Sequence, residues 1–93
     1  MGSERESKIY ELYEIFNDYN RISILLNLYN EELTVQEIVK RTKLKHTIVF
    51  NNLEYLYQRK VLKKIEIANK VTYKISDKTL NKLIGKMTDY VKK

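Results

Sequence analysis

The chain of 93 residues has no cysteine, no proline and no tryptophan, and its two glycines stand at positions 2 and 85. Without cysteine, disulfides and thiolate metal sites are excluded. Without proline, and with so little glycine, nothing reads as a flexible linker, a low-complexity tract or an internal repeat, so residues 1–93 read as one small domain. His46 is the single histidine. With no phosphate-binding glycine loop and no clustered acid–base groups, an enzyme is not expected, and neither is a cofactor. No apolar run approaches the ~18 residues of a membrane span. The opening MGSERES lacks the apolar region of a signal peptide, and residues 1–6 read as a disordered start or in part an expression scar. A soluble protein of the cytoplasm is expected, or of the host cell if viral.

What the chain does have is segregated charge. Residues 1–37 hold three basic and eight acidic side chains, a net −5, and residues 38–93 hold fifteen basic and four acidic, a net +11, which together give the overall +6. Between Lys40 and Lys64 there are eight basic residues and one acid, Glu54. Such a zone suits a polyanion, with nucleic acid the leading partner; the alternative is a solvated lysine-rich surface. The 43% hydrophobic fraction, with eight tyrosines and two phenylalanines, allows a core. A chain this short buries a modest share of its surface, and dimerisation is a usual remedy.

Hydrophobic periodicity divides the chain. Ile9, Leu12, Tyr13, Phe16 and Tyr19 mark a helix over about 7–18, capped by Ser7 or by Ser3 with Glu6. Ile22, Leu25, Leu26 and Tyr29 share one side of a second over 20–29, started by Asp18 or Asn20. Thr34 and Glu37 form a capping box for a short helix over 34–42, with Val35, Ile38 and Val39 inward. A fourth helix runs over 46–59. From Leu62 the period becomes 2: Ile65 and Ile67, then Val71, Tyr73 and Ile75, alternate with polar residues around Ala68-Asn69-Lys70, which predicts a hairpin over 62–76. Ser76 or Asp77 caps a last helix over 77–92, with Leu80, Leu83, Ile84, Met87 and Val91 as its stripe. This order, mainly α with a small β-hairpin, is that of a winged helix-turn-helix.

Residues 18–80 resemble the arsenic-repressor (ArsR-type) winged helix-turn-helix regulators. Residues 43–62, KLKHTIVFNNLEYLYQRKVL, lie without a gap on that family's recognition pattern, with Leu44, Val49, Leu53, Leu56, Val61 and Leu62 on its apolar positions. Lys45 stands where a capping serine is common, Lys60 where a glycine precedes the wing, and Phe50 and Asn51 where a serine and a polar residue are frequent. Metal-sensing members read Glu-Leu-Cys-Val-Cys-Asp-Leu at the third helix. Here ELTVQEI puts Thr34 and Gln36 in the cysteine positions, poor ligands for soft metals, and the last helix has no histidine. No metal sensing is expected.

The resemblance implies that the fourth helix enters the major groove of DNA and the wing, 67–71, lies on adjacent backbone or minor groove. On a helical wheel with Val49, Leu53 and Leu56 inward, Thr47, Asn51, Glu54 and Gln58 lie opposite. Thr47 and Asn51 are the base-reading candidates. Phe50, at the border, either packs beside Tyr57 or contacts a thymine methyl. Lys40, Arg41, Lys43, Lys45 and His46 are assigned to phosphates. On the wing, Asn69 and Lys70 are the tip contacts, with Lys64 or Lys74 on a strand flank. In the resembled family the first and last helices, here 7–19 and 77–93, pair across a two-fold axis. This makes Ile9, Leu12, Tyr13, Phe16, Leu83, Ile84, Met87 and Val91 the candidates for a homodimer interface.

The leading expectation is a sequence-specific, dimeric transcription regulator, a repressor that blocks promoter access. A nonspecific architectural DNA protein and a winged helix used to bind another protein are the alternatives. The abundance of Lys, Ile, Asn and Tyr points to an AT-rich genome, such as that of an archaeon or its virus.

Overall fold

A computed structural model describes residues 4–91. Five helices, α1 (Glu4–Phe16), α2 (Tyr19–Asn27), α3 (Val35–Thr42), α4 (His46–Gln58) and α5 (Lys78–Val91), surround a hairpin of β1 (Leu62–Ile67) and β2 (Lys70–Ile75). The architecture is a winged helix-turn-helix. α1 already runs through Glu4–Glu6, where a disordered start was expected, because Arg5 and Glu6 are good helix formers. Ser7 therefore lies inside the helix rather than capping it, and Ser3 lies outside the described residues.

The starts of α2, α3 and α5 follow local hydrogen-bond chemistry. The Asp18 carboxylate accepts from the amides of Asn20 (2.8 Å) and Arg21 (3.2 Å) at the head of α2. Thr34 and Glu37 form the reciprocal capping box of α3, worth about 1 kcal/mol against alanine at the cap. Asp77 caps α5, its Oδ1 accepting from Leu80 N at 2.8 Å. Ser76 donates its hydroxyl to Lys60 O and Val61 O instead, closing the base of the hairpin.

α2 packs against α1, α3, α4 and α5, so its buried face is set by several neighbours at once. Ile24, Leu25 and Leu28 are fully buried, while Ile22 and Leu26, expected inward, are only half-covered. In α1 the core residue is Ile15, which the helical stripe did not include. Val49, Leu53 and Leu56 of α4, Ile38 of α3, and Ile84 of α5 complete the centre. Gly85 is required by close approach: a Cβ there would lie 2.6 Å from the Tyr29 ring.

The two strands pair in register from Leu62↔Ile75 to Ile67↔Lys70. Ala68 and Asn69 both have positive φ (48° and 66°), as a two-residue type I′ turn requires. Leu33 exchanges two backbone hydrogen bonds with Tyr73 along the outer edge of β2, tying the wing to the entrance of α3. The tip projects past the core, so Ile67 and Val71, expected inward by alternation, are exposed.

α4 ends in a Schellman motif: Val61 N donates to Leu56 O and Lys60 N to Tyr57 O, with Lys60 at φ 62°. A lysine in the left-handed region costs about 1 kcal/mol or more relative to glycine. Lys60→Gly should therefore raise stability by roughly 1 kcal/mol, read as a higher urea midpoint with an unchanged slope. An unchanged or lowered midpoint would refute this reading of the turn.

Candidate nucleic-acid interface

The helix-turn-helix is held by short contacts. Lys43, at φ 65°, ends α3 with its amide on Val39 O at 2.8 Å. The Thr42 hydroxyl donates to Ile38 O at 2.8 Å and accepts from Leu44 N at 3.3 Å. Leu44 then packs on the core. Lys45 is extended and leaves the N-terminus of α4 without a side-chain cap, so the first-turn amides, which have no intrahelical partner, point out beside two ammonium groups.

From this entrance α4 divides into two sides. Val49, Leu53 and Leu56 are buried, and Thr47, Asn51 and Gln58 are exposed. Asn52 donates its amide to Ile48 O at 2.8 Å, a local role. Glu54 does not face outward with Thr47 and Asn51 as the wheel placed it, because the hairpin packs against that flank of α4. Its carboxylate lies 3.0 Å from Lys64 Nζ and 3.4 Å from the Tyr73 hydroxyl, which donates to it. Lys64 also sits 4.4 Å from the centre of the Tyr57 ring. A lone carboxylate on the recognition side would repel phosphate; here it is neutralised within the fold. In turn, the Lys64 ammonium is paired with Glu54 on the flank of the hairpin.

Lys64 and Tyr73 are shifted in the same direction. The hydrogen bond to Glu54 raises the Lys64 pKa above its ordinary 10.5. Burial is the main cause raising the Tyr73 phenol above 10.0. Both folded-state values exceed the unfolded ones, so their stabilisation is complete below those ordinary values and is lost as pH rises through the raised ones. Denaturant midpoints measured from about pH 8 to 11 should fall less steeply at the alkaline end for Tyr73→Phe than for the parent chain. Parallel curves would remove Tyr73 from this account.

The basic candidates separate in the same way. Lys40, Lys43, Lys45, His46 and Lys70 are exposed. Arg41 is held by both oxygens of Glu31, at 2.6 and 3.1 Å, and this bond raises its pKa while lowering that of Glu31. Lys74 lies opposite Lys63 at the base of the hairpin, on the face turned away from Glu54. At the tip, Asn69 and Lys70 face His46 and Phe50 across a cleft of about 420 Å³, with Gln36 and Val71 also on its walls. Phe50 does not pack beside Tyr57. It is 43% exposed and lies parallel to the His46 ring, with centroids 6.5 Å apart. Gln36, weighed in the sequence only as a metal-site position, and Val71, included there only as a strand residue at the end of the 67–71 wing, were not singled out as members of this surface.

Away from this surface, Ile9, Leu12, Tyr13, Phe16 and Leu83 line an apolar groove of about 340 Å³ between α1 and α5. Ile84 is fully buried in the core and so offers nothing to a partner, while Met87 is half-covered and Val91 exposed. α1 is fastened to α4 by an arrangement that periodicity does not reveal. The guanidinium groups of Arg21 (4.0 Å) and Arg59 (3.6 Å) both stack on the Tyr55 ring. Arg21 also donates to the carbonyls of Ile15 and Glu14 at the end of α1.

Among the described residues, no group of three His, Cys, Asp or Glu side chains is placed to hold a metal ion, and no helix is long and apolar enough to cross a membrane.

No protein-family model matches the chain, and no curated protein matches it in sequence. Solved structures do. HlyU from Vibrio cholerae superposes with a TM-score of 0.89 at 21% identity, over 99% of this chain and 100% of that one. The transcriptional repressor PagR of Bacillus anthracis gives 0.79 at 23%, covering 89% and 95%. The homodimeric winged helix-turn-helix DNA-binding domain of a possible ArsR-family regulator from Mycobacterium bovis gives 0.76 at 18%, covering 98% and 88%. At such identities the likeness is one of fold: the chain shares the winged helix-turn-helix architecture of these structures.

Proposed function

We propose that the protein is a sequence-specific double-stranded DNA-binding transcription regulator, acting as a homodimeric repressor. The observation that carries this reading is the convergence of three features on one surface. These are the uncapped start of α4 beside Lys43 and Lys45, the outward Thr47 and Asn51, and the wing residues Asn69 and Lys70 across the cleft from Phe50. Phosphate oxygens meet the α4 amides and the flanking ammonium groups, setting register without reading sequence. Asn51 pairs with an adenine edge, and Thr47 donates to a base or touches a thymine methyl. Phe50, flat against His46, presents its free edge to the same groove. Lys40 extends the phosphate contacts, and the wing tip follows the neighbouring backbone or minor groove. The α1–α5 groove meets its counterpart across a two-fold axis, setting two copies of α4 on half-sites about one DNA turn apart. Occupancy then excludes the transcription machinery from the promoter.

The test is selection of bound duplexes from a random pool, followed by affinity measurements on the enriched sequence over a range of salt concentrations. A two-fold-symmetric motif with a steep salt slope is expected. Binding with no enriched sequence would replace specific regulation by an architectural role. No binding at low salt would leave the fold as a protein-docking module.

A further inference from the structure

Four lysines surround a second cleft, of about 480 Å³, between the end of α2, the base of the hairpin and the start of α5. Lys63 and Lys74 are direct cross-strand partners, and like charges so placed destabilise a sheet. Lys78 and Lys82 stand one turn apart on α5, where like charges destabilise a helix. Both pairs open on the same cleft, and none of the four forms an ion pair with a described residue. The single acid on its walls, Glu31, is already held by Arg41. The fold thus keeps two repulsive pairs together over a floor that includes Leu28 and Ile75, and the walls are tied by reciprocal Asn30–Asn81 hydrogen bonds.

We infer that this cleft binds a small polyphosphate, a di- or triphosphate group whose several negative charges sit between the hairpin lysines and those of α5. The volume lies within the ~300–1,000 Å³ range of small-molecule sites. The cleft shares no lining residue with the one between α4 and the wing, so a compact ligand held here leaves that surface free. The ligand would clamp three elements and relieve both repulsions at once. The site goes beyond the proposed regulator function and does not depend on it.

The experiment is calorimetric and thermal titration of the full chain with pyrophosphate and, separately, ATP, at constant ionic strength, with sulfate as the control anion. The parent chain should bind one pyrophosphate per cleft and melt at a higher temperature as the ligand is added. Lys74→Glu, which places a carboxylate opposite Lys63, should melt higher than the parent without ligand and lose the ligand-induced rise. Lys82→Gln should bind at least about tenfold more weakly, in line with the cost of losing one charge-assisted contact. An equal rise with sulfate, or an equal rise in both variants, would overturn the site. So would a loss of duplex affinity in Lys82→Gln as large as that in Lys45→Ala, since it would make these lysines DNA contacts. Should the chain bind no duplex at all, the pyrophosphate titration still decides the cleft by itself.

Discussion

Leu83→Glu is expected to yield a folded monomer at micromolar concentration that binds a two-half-site duplex on the order of a hundredfold more weakly than the parent. Leu83 is 41% exposed and shares its groove with Ile9, Leu12, Tyr13 and Phe16. In the isolated chain a glutamate there reaches water, so stability should change by no more than about 0.5 kcal/mol. Across a two-fold axis the same carboxylate would be buried in apolar surroundings in duplicate, which costs free energy wherever it is left unpaired. The loss in DNA affinity follows from linkage, because the second α4 no longer arrives at high effective concentration. Ile84→Glu is the contrasting change. Ile84 is fully buried in the core, so that variant should fail to fold instead of dissociating. Arg21 and Arg59 both stack on Tyr55 of α4 and both reach α1, Arg21 through the carbonyls of Ile15 and Glu14 and Arg59 through the Glu14 carboxylate, so α1 and α4 are positioned together. Sedimentation equilibrium with circular dichroism provides the check. A parent chain that is itself monomeric, or a Leu83→Glu chain that remains dimeric, would remove this interface.

The element order was legible in part because three helix starts, those of α2, α3 and α5, have a local chemical cause. Asp18, the Thr34–Glu37 pair and Asp77 all hydrogen-bond the amides that a cap must satisfy. The buried side of α4 was legible as well, since Val49, Leu53 and Leu56 repeat at helical spacing. What the one-dimensional pattern could not show is which surfaces meet. α2 touches four helices, so its buried face is Ile24, Leu25 and Leu28, against the stripe periodicity suggested. The hairpin leans on α4, and this takes Glu54 and Lys64 out of the outward set. Arg41 reads as a phosphate contact by position, yet Glu31, ten residues earlier, already occupies it. Phe50 was ambiguous on the wheel because its surroundings, His46 apart, come from the wing and the start of α3. Wing and recognition residues together form the candidate site, and only their tertiary arrangement shows that Gln36 and Val71 belong to it.

Asn51→Ala should lower affinity for the selected duplex by about 1–3 kcal/mol per recognition helix, roughly five- to more than a hundredfold, and flatten the base preference at one position in each half-site. The reasoning starts from placement. Asn51 is exposed one turn beyond Thr47, opposite the buried Val49 and Leu53, and no side-chain hydrogen bond holds it to the protein among those of the described residues. Its amide is therefore free to give the bidentate pair with adenine, and alanine removes both hydrogen bonds without disturbing the core. Lys45→Ala should behave differently. Lys45 flanks the uncapped start of α4, so its loss should weaken all duplexes alike and reduce the salt slope by about one per protomer, with base preferences intact. Repeating the duplex selection with each variant and measuring salt dependence on the parent's best sequence separates the two roles. If Asn51→Ala selects the same motif with the same contrast as the parent, Asn51 does not read bases and the docking of α4 must be redrawn. If Asn51→Ala instead changes only the salt slope, it is a backbone contact, and Thr47 with the edge of Phe50 would have to carry the sequence preference.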